Sequence, residues 1–176
     1  MVTKNKDFIP SITEPLQLRL LGCEFYGNPF QSAGEWSSEN EIGILWQRFL
    51  RLVNKYKFIL EKLNQHPNYS YEIHFEPDNF SQTKKFYVFV GIVIDYFDEI
   101  PLEFMIKQFP STQYAEFTTK MTENTIAEYI FQDWLGSEKS EYCQSYPYVI
   151  QRYGIKFKGM DNPDSEIDWL IPVKKR

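Results

Sequence analysis

The chain has 176 residues, of which 43% are hydrophobic and 24% are charged, a balance typical of one globular domain. Its formal net charge is −5 and it has no basic stripe, so nucleic acid is not expected as a direct partner. No apolar run approaches the roughly 20 residues that span a bilayer, and residues 1–9 lack an apolar signal core, which predicts a cytoplasmic protein without membrane contact.

The first half of the chain predicts a strand, a long helix and two further strands. Leucines alternate with polar residues in the first strand, the period-2 pattern of a half-buried strand. Ser38 followed by Glu41 fits a capping box, and an apolar stripe with steps of three and four continues to Leu63, as in one amphipathic helix. Pro67 follows the end of that helix. The strands are expected at residues 16–26, 69–75 and 86–95.

The second half predicts the same order of elements. A connector at residues 96–110 contains two prolines and leads to a strand, a helix, a loop and a closing hairpin. Pro172, late in the last strand, indicates a strand end or a sheet edge, because proline cannot donate to the ladder. The predicted strands are 113–118, 148–157 and 166–173, the helix is 122–135 and the loop is 136–147.

The two halves also correspond in sequence, since Tyr71-Glu72-Ile73-His74 lies where Tyr148-Val149-Ile150-Gln151 lies in the second half. We therefore predict an α+β fold of duplicated strand-helix-strand-strand modules, related by a pseudo-twofold axis, with an antiparallel sheet around a central ligand groove. Module one is expected at residues 16–95 and module two at 111–174, after an N-terminal extension at 1–15.

Residues that bind metals or react as nucleophiles are few. The two cysteines, Cys23 and Cys143, lie far apart, which predicts free thiols in a reducing compartment. The two histidines, His66 and His74, have no metal-ligand spacing. The sequence has no phosphate loop, dinucleotide fingerprint or Gly-x-Ser-x-Gly motif. We therefore expect no metal site and no cofactor.

A series of short patterns occurs in a fixed order along the chain and carries a family resemblance. They are Gly91-Ile92-Val93-Ile94-Asp95, Ile100-Pro101, Phe109-Pro110, Tyr114-Ala115-Glu116-Phe117, Asp133-Trp134-Leu135, Tyr148-Val149-Ile150-Gln151-Arg152-Tyr153, Asp161-Asn162-Pro163-Asp164-Ser165-Glu166 and Ile171-Pro172-Val173. In this order they resemble the GyrI-like, or AraC-type, effector-binding domain family over residues 16–174. The helix that bears Trp46 and the long connector are most similar to stand-alone, integron-associated members.

The resemblance implies two strand-helix-strand-strand modules with a central pocket for lipophilic, often cationic or aromatic, compounds. Many relatives are fused to a helix-turn-helix and act as the sensor of bacterial transcription regulators. Only about 15 residues precede the first predicted strand here. We therefore expect any regulation to act through another chain, or the compound to be sequestered.

One position departs from the family pattern. The family typically has a Glu deep in the pocket, followed two residues later by Tyr, in the penultimate strand. This chain has Gln151 and Tyr153 there. An amide offers hydrogen bonds but no charge. The departure therefore weakens the expectation of cationic ligands, favours a neutral or polar one, and weakens a hydrolase activity that some relatives have.

The candidate ligand-binding residues follow from the resemblance and from strand alternation. Val149, Gln151 and Tyr153 should share one face of their strand. His74 occupies the position equivalent to Gln151 and could face it across the groove; ligand binding would then change between pH 5.5 and 8. The aromatic candidates are Trp46, Tyr87, Phe89, Trp134 and Trp169, and the acidic candidates are Glu116 and Glu166.

Three functions remain open from the sequence. The favoured one is a stand-alone domain that binds a small lipophilic or aromatic effector. The second is a hydrolase of lipophilic electrophiles, in which Glu116 or Glu166 would replace the missing carboxylate. The third is a protein-interaction module that acts on a regulator or on gyrase, for which the acidic charge would suit a basic partner surface.

Overall fold

The computed structural model describes residues 8–34, 37–64, 66–96 and 99–176, and residues 1–7 of the predicted N-terminal extension lie outside these ranges. Within them, nine strands form one antiparallel sheet. The strands are β1 (Ser11–Ile12), β2 (Arg19–Gly27), β3 (Ser70–Phe75), β4 (Phe86–Val93), β5 (Met105–Gln108), β6 (Gln113–Lys120), β7 (Tyr142–Gln144), β8 (Tyr148–Tyr153) and β9 (Glu166–Lys175). The helices are α1 (Glu41–Lys55), α2 (Lys57–Leu63), α3 (Phe80–Thr83) and α4 (Ile126–Glu128), which continues as a π-helix (Tyr129–Trp134).

The duplicated α+β architecture is confirmed. The first module consists of β2, α1, α2, β3 and β4, and the second consists of β6, α4, β8 and β9. Antiparallel pairing of β3 with β8 joins the two modules into one sheet. Ile73 lies opposite Ile150 in this pairing, and these two residues also correspond in the internal repeat. The pseudo-twofold axis therefore passes through the Ile73–Ile150 pair.

The sheet closes on itself. Residues 11–22 run antiparallel to residues 105–116, beginning with β1 against β6 and ending with β2 against β5. Between these strands the ladder is continued by hydrogen bonds such as that from the Phe109 N–H to the Leu18 carbonyl, 2.8 Å. Since the other edges of β2 and β6 pair with β4 and β9, the strands form a closed barrel with an inner and an outer face.

Buried hydrophobic side chains form clusters on both the inner and the outer face of the sheet. One cluster inside the barrel receives side chains from both modules: Leu20, Tyr71, Ile73, Phe89, Tyr114, Tyr148, Ile150 and Leu170. The outer face carries two separate clusters. The module-one cluster packs α1 and α2 on β2 and β4 and includes Leu21, Leu45, Phe49, Leu60, Val88 and Val90. The module-two cluster packs α4 and the π-helix on β6 and β9 and includes Ala115, Phe117, Ile126, Ile130 and Ile171.

The first predicted helix is correct in place but differs in its start and its continuity. Asn40, not Ser38, is the N-cap, and its side chain accepts a 2.9 Å hydrogen bond from the Gly43 N–H. Ser38 instead lies against the first turn, where a Cβ on Gly43 would come within 2.5 Å of its backbone. The stripe predicted as one helix is also divided at Tyr56, whose hydroxyl donates to the Glu103 carboxylate.

Two predictions for the second half and the connector are wrong, and a third, the second helix, is correct in place but not in type. The helix expected at 122–135 is α-helical only at Ile126–Glu128 before it widens into π-helical turns. The connector and the loop at 136–147 contain β5 and β7, which have no alternation to reveal them. Pro172 is neither at an edge nor at a strand end, because β9 has β6 on one side and β7 and β8 on the other. Its carbonyl accepts from the Ser145 N–H at 2.9 Å.

The two cysteines are free thiols with different surroundings. Cys23 is 3% exposed in the module-one cluster, and burial raises the pKa of its thiol. Cys143 lies half-buried on β7. We expect a thiol reagent such as DTNB at pH 8 to label Cys143 in the native protein and both cysteines after denaturation, because the thiolate is the reactive form. Rapid labelling of a Cys143→Ser variant in its native state would contradict this.

No helix among the described residues is long and apolar enough to span a membrane.

Candidate functional site

On the outer face of the barrel, the two helix-covered clusters flank a central strip of the sheet at the junction of β3 with β8, which we call the central groove. Directly opposed residues of antiparallel strands point to the same face, so the register defines its floor. Glu72 lies opposite Gln151, and Gln151 lies opposite Trp169 on β9. His74 and Tyr153, each two residues further along its strand, share this face. The groove therefore brings together five polar or aromatic side chains near the pseudo-twofold axis.

Glu72 is the most unusual of these residues, because it is a buried carboxylate. Its side chain is 6% exposed, and both of its oxygens are engaged. Oε2 accepts a short hydrogen bond from Nε1 of Trp46 on α1, and Oε1 lies 2.7 Å from Nε2 of His74. Burying a carboxylate costs several kcal/mol, on the order of a full desolvation penalty, unless donors or a cation compensate it. The groove thus holds a negative group at its floor with donors arranged around it.

Gln151 and Tyr153 complete the polar floor beside Glu72. Gln151 is buried, and its Oε1 accepts a 3.0 Å hydrogen bond from the Tyr153 hydroxyl. The Tyr153 ring makes edge contacts with Trp46 and with Phe157, at centroid distances of 5.2 and 5.0 Å. Burial, and then the charge of Glu72, raise the pKa of Tyr153 well above its usual value. The phenol therefore stays neutral and acts as a hydrogen-bond donor in a largely aromatic wall.

The two remaining tryptophan candidates lie on the module-two side. Trp169 packs against the module-two cluster, and its buried Nε1 has no hydrogen-bond partner within the described part of the chain. Trp134 makes an edge contact with Phe117 and stacks on Tyr142 at 5.8 Å. It lines a separate open depression of about 500 Å³ with Asp133, Lys139 and Glu141. The structure thus brings Trp169, but not Trp134, next to Gln151.

The other four candidates lie on the inner face of the sheet. Phe89 is buried in the barrel cluster, and Tyr87 makes ring contacts with Tyr26 and Phe75. Glu116 forms an ion pair with Arg152, and Glu166 forms one with Lys156. The register places all four on the face opposite Gln151, so the sheet separates them from the groove.

Sequence reasoning missed Glu72. The sequence suggested that His74 could face Gln151, but the register places His74 opposite Val149 and Glu72 opposite Gln151. The signal was present in the internal repeat. If two equivalent isoleucines pair on the axis, the residue before one lies opposite the residue after the other. The neighbouring strand therefore places a carboxylate, that of Glu72, directly opposite position 151.

Comparison with known proteins agrees with this architecture. The family model of Cass2, described as integron-associated effector binding protein, matches residues 12–173. The chain belongs to this family. Its membership confirms the resemblance to effector-binding domains and supports small-molecule binding as the general function. A comparison with the curated proteins found no match.

Solved structures of effector-binding proteins share the GyrI-like fold. SAV2435, solved bound to tetraphenylphosphonium, is 13% identical with a TM-score of 0.64, covering 94% of this chain and 93% of that one. The integron cassette protein VCH_CASS2 from Vibrio cholerae is 15% identical with a TM-score of 0.54, over 96% and 100%. The EcmrR C-terminal domain is 13% identical with a TM-score of 0.58, over 96% and 99%. At these identities the likeness shows the fold.

Proposed function

We propose that the central groove binds a lipophilic aromatic cation, with Glu72 as its counter-ion. The single observation that carries this proposal is the Glu72 carboxylate, which is nearly excluded from solvent beside the pseudo-twofold axis and accepts a hydrogen bond from the Trp46 indole, itself packed against the Tyr153 ring. A buried carboxylate attracts a cation more strongly than a surface one, because little water competes for it.

The surrounding side chains suit the apolar part of such a ligand. Trp46 and Tyr153 lie edge to face beside Glu72, and Phe86 lies 5.5 Å from the His74 ring. Aromatic faces add cation–π attraction of about 0.5–2 kcal/mol each when the cation is desolvated. The combination of one carboxylate and several rings favours a large cation with delocalised charge over a compact, strongly hydrated amine.

Gln151 has a supporting part in this groove. The amide at position 151 does not leave the groove uncharged, since Glu72 lies directly opposite it. Gln151 instead orients the Tyr153 hydroxyl, which donates to it. The SAV2435 structure supports the proposal because that protein has the same fold and was solved with tetraphenylphosphonium. Binding of this kind would let the chain signal through another protein or sequester the compound.

Isothermal titration with tetraphenylphosphonium tests the proposal. We expect saturable binding by the wild type and at least about a tenfold loss of affinity in Glu72→Gln, which corresponds to about 1.4 kcal/mol of lost charge attraction. Triphenylphosphine oxide, a neutral compound of similar shape, should bind both proteins alike. Glu61→Gln, which removes an exposed carboxylate from α2, is the matched control and should not change either affinity.

A swap variant protects this test against an indirect effect of the mutation on folding. Because Glu72 and Gln151 are directly opposed, combining Glu72→Gln with Gln151→Glu moves the carboxylate one strand without removing it. We expect this double variant to recover most of the affinity for tetraphenylphosphonium. The proposal is overturned if the wild type does not bind a panel of aromatic cations, or if Glu72→Gln binds them as well as the wild type.

A further inference from the structure

His74 is in direct contact with Glu72. Its Nε2 lies 2.7 Å from Glu72 Oε1, and its side chain is 30% exposed while that of Glu72 is 6% exposed. Histidine is the side chain whose ordinary titration falls between pH 5 and 8. The Nε2 atom can donate to Glu72 in either charge state of the ring, so the contact persists while its net charge changes.

We propose that His74 determines the ligand charge that the groove accepts: protonated, it neutralises Glu72 and competes with a cationic ligand, and neutral, it leaves the Glu72 charge for the ligand. This inference rests on the proposed function and names a specificity-determining residue within it. The carboxylate has one negative charge to offer, and an imidazolium ring and a ligand cation would share it at a cost in mutual repulsion.

Among the residues that the structure describes, Glu72 is the charged side chain paired with His74. Val88 on β4 and Val149 on β8 lie opposite it in the register, and Phe86 makes the ring contact. From α1, the groove receives the indole of Trp46, which is not titratable in this range. Tyr153 on β8 keeps its proton, as argued above. A proton on His74 therefore interacts mainly with the charge of Glu72 and with any cation bound in the groove.

The linkage between proton binding at His74 and cation binding determines the direction in which affinity changes with pH. If a cation and the His74 proton exclude each other, binding of the cation releases protons and its affinity rises with pH through the histidine range. A neutral ligand exchanges no charge with Glu72 and has no such dependence. Because the two charges compete directly for one carboxylate, we expect the affinity for a cation to rise about tenfold from pH 5.5 to 8.

The test measures tetraphenylphosphonium affinity at constant ionic strength from pH 5.5 to 8. The wild type should show the tenfold rise, and titration in buffers of different ionisation enthalpy should detect proton release near the middle of the range. His74→Gln keeps an amide donor near Glu72 but cannot titrate, so its affinity should be high and independent of pH. His66→Gln is the matched control, because His66 is the chain's other histidine and is exposed. It should retain the wild-type slope.

The neutral probe and the variants separate the two proposals. Triphenylphosphine oxide should bind with no pH dependence in all three proteins. Binding of tetraphenylphosphonium with a flat profile in the wild type, or with an unchanged slope in His74→Gln, overturns the role of His74 and leaves the proposed function standing. Absence of saturable cation binding at every pH, in the wild type and in His74→Gln, overturns both.

Discussion

Gly22→Ala is expected to destabilise the protein by about 3 kcal/mol or more. An ideal Cβ on Gly22 would lie 1.9 Å from the Val90 carbonyl oxygen and 2.7 Å from the Gly91 Cα. Both obstacles are backbone, so no rotamer change can relieve them. Gly22 and Gly91 are directly opposed in the β2–β4 ladder, and this close approach allows the sheet to curve into a barrel.

Thermal and urea denaturation would measure the loss of folding stability in Gly22→Ala. In a chain of this length each kcal/mol corresponds to about 2–4 °C, so Gly22→Ala should lower the Tm by about 6–12 °C. Gly34→Ala is the matched control, because a Cβ there meets nothing within 4 Å. It should change stability by less than about 0.5 kcal/mol. Equal stability of the two variants would contradict the argument that the Gly22–Gly91 contact shapes the barrel.

The contrast between the first helix and two short strands shows what periodicity can predict. The first helix was predictable because its apolar residues recur at steps of three and four over many turns, and a stripe of that length has few alternative structures. β5, with the sequence Met-Ile-Lys-Gln, and β7, with Tyr-Cys-Gln, were not predictable. They form because β2 and β9, from distant parts of the chain, offer them partners, and such long-range pairing leaves no local pattern.

The candidate site was predictable in part for a similar reason. Alternation correctly placed Val149, Gln151 and Tyr153 on one face. Alternation could not predict which face of β4 the helices cover. Large aromatic side chains fill a barrel interior as readily as they line a groove. Phe89 therefore looked like a groove residue although it fills the barrel. Glu72 depends on cross-strand register, which the sequence specifies only through the axial isoleucine pair.

Arg152→Met is expected to lower the free energy of unfolding by about 2–3 kcal/mol at pH 7. Arg152 Nη2 lies 2.7 Å from Asp168 Oδ2 and 2.6 Å from Glu116 Oε1, and its guanidinium lies 5.1 Å from the centre of the Tyr69 ring. The three charged side chains are 21%, 18% and 23% exposed, in the order Arg152, Asp168, Glu116. Removing one partner of a buried pair costs about 3–5 kcal/mol, and this partial exposure reduces the value.

Urea denaturation of two further variants would show that the loss arises from uncompensated charge rather than from packing. Lys156→Met breaks the exposed Lys156–Glu166 pair, whose side chains are 72% and 33% exposed, and should cost less than about 0.5 kcal/mol. Adding Glu116→Gln and Asp168→Asn to Arg152→Met removes both stranded carboxylates and should recover at least half of the stability. If Arg152→Met cost no more than Lys156→Met, Glu116 would not be held by this ion pair. Because the ion pair holds Glu116 on the face of the sheet opposite Gln151, Glu116 does not reach the groove in which we propose that Glu72 is the counter-ion.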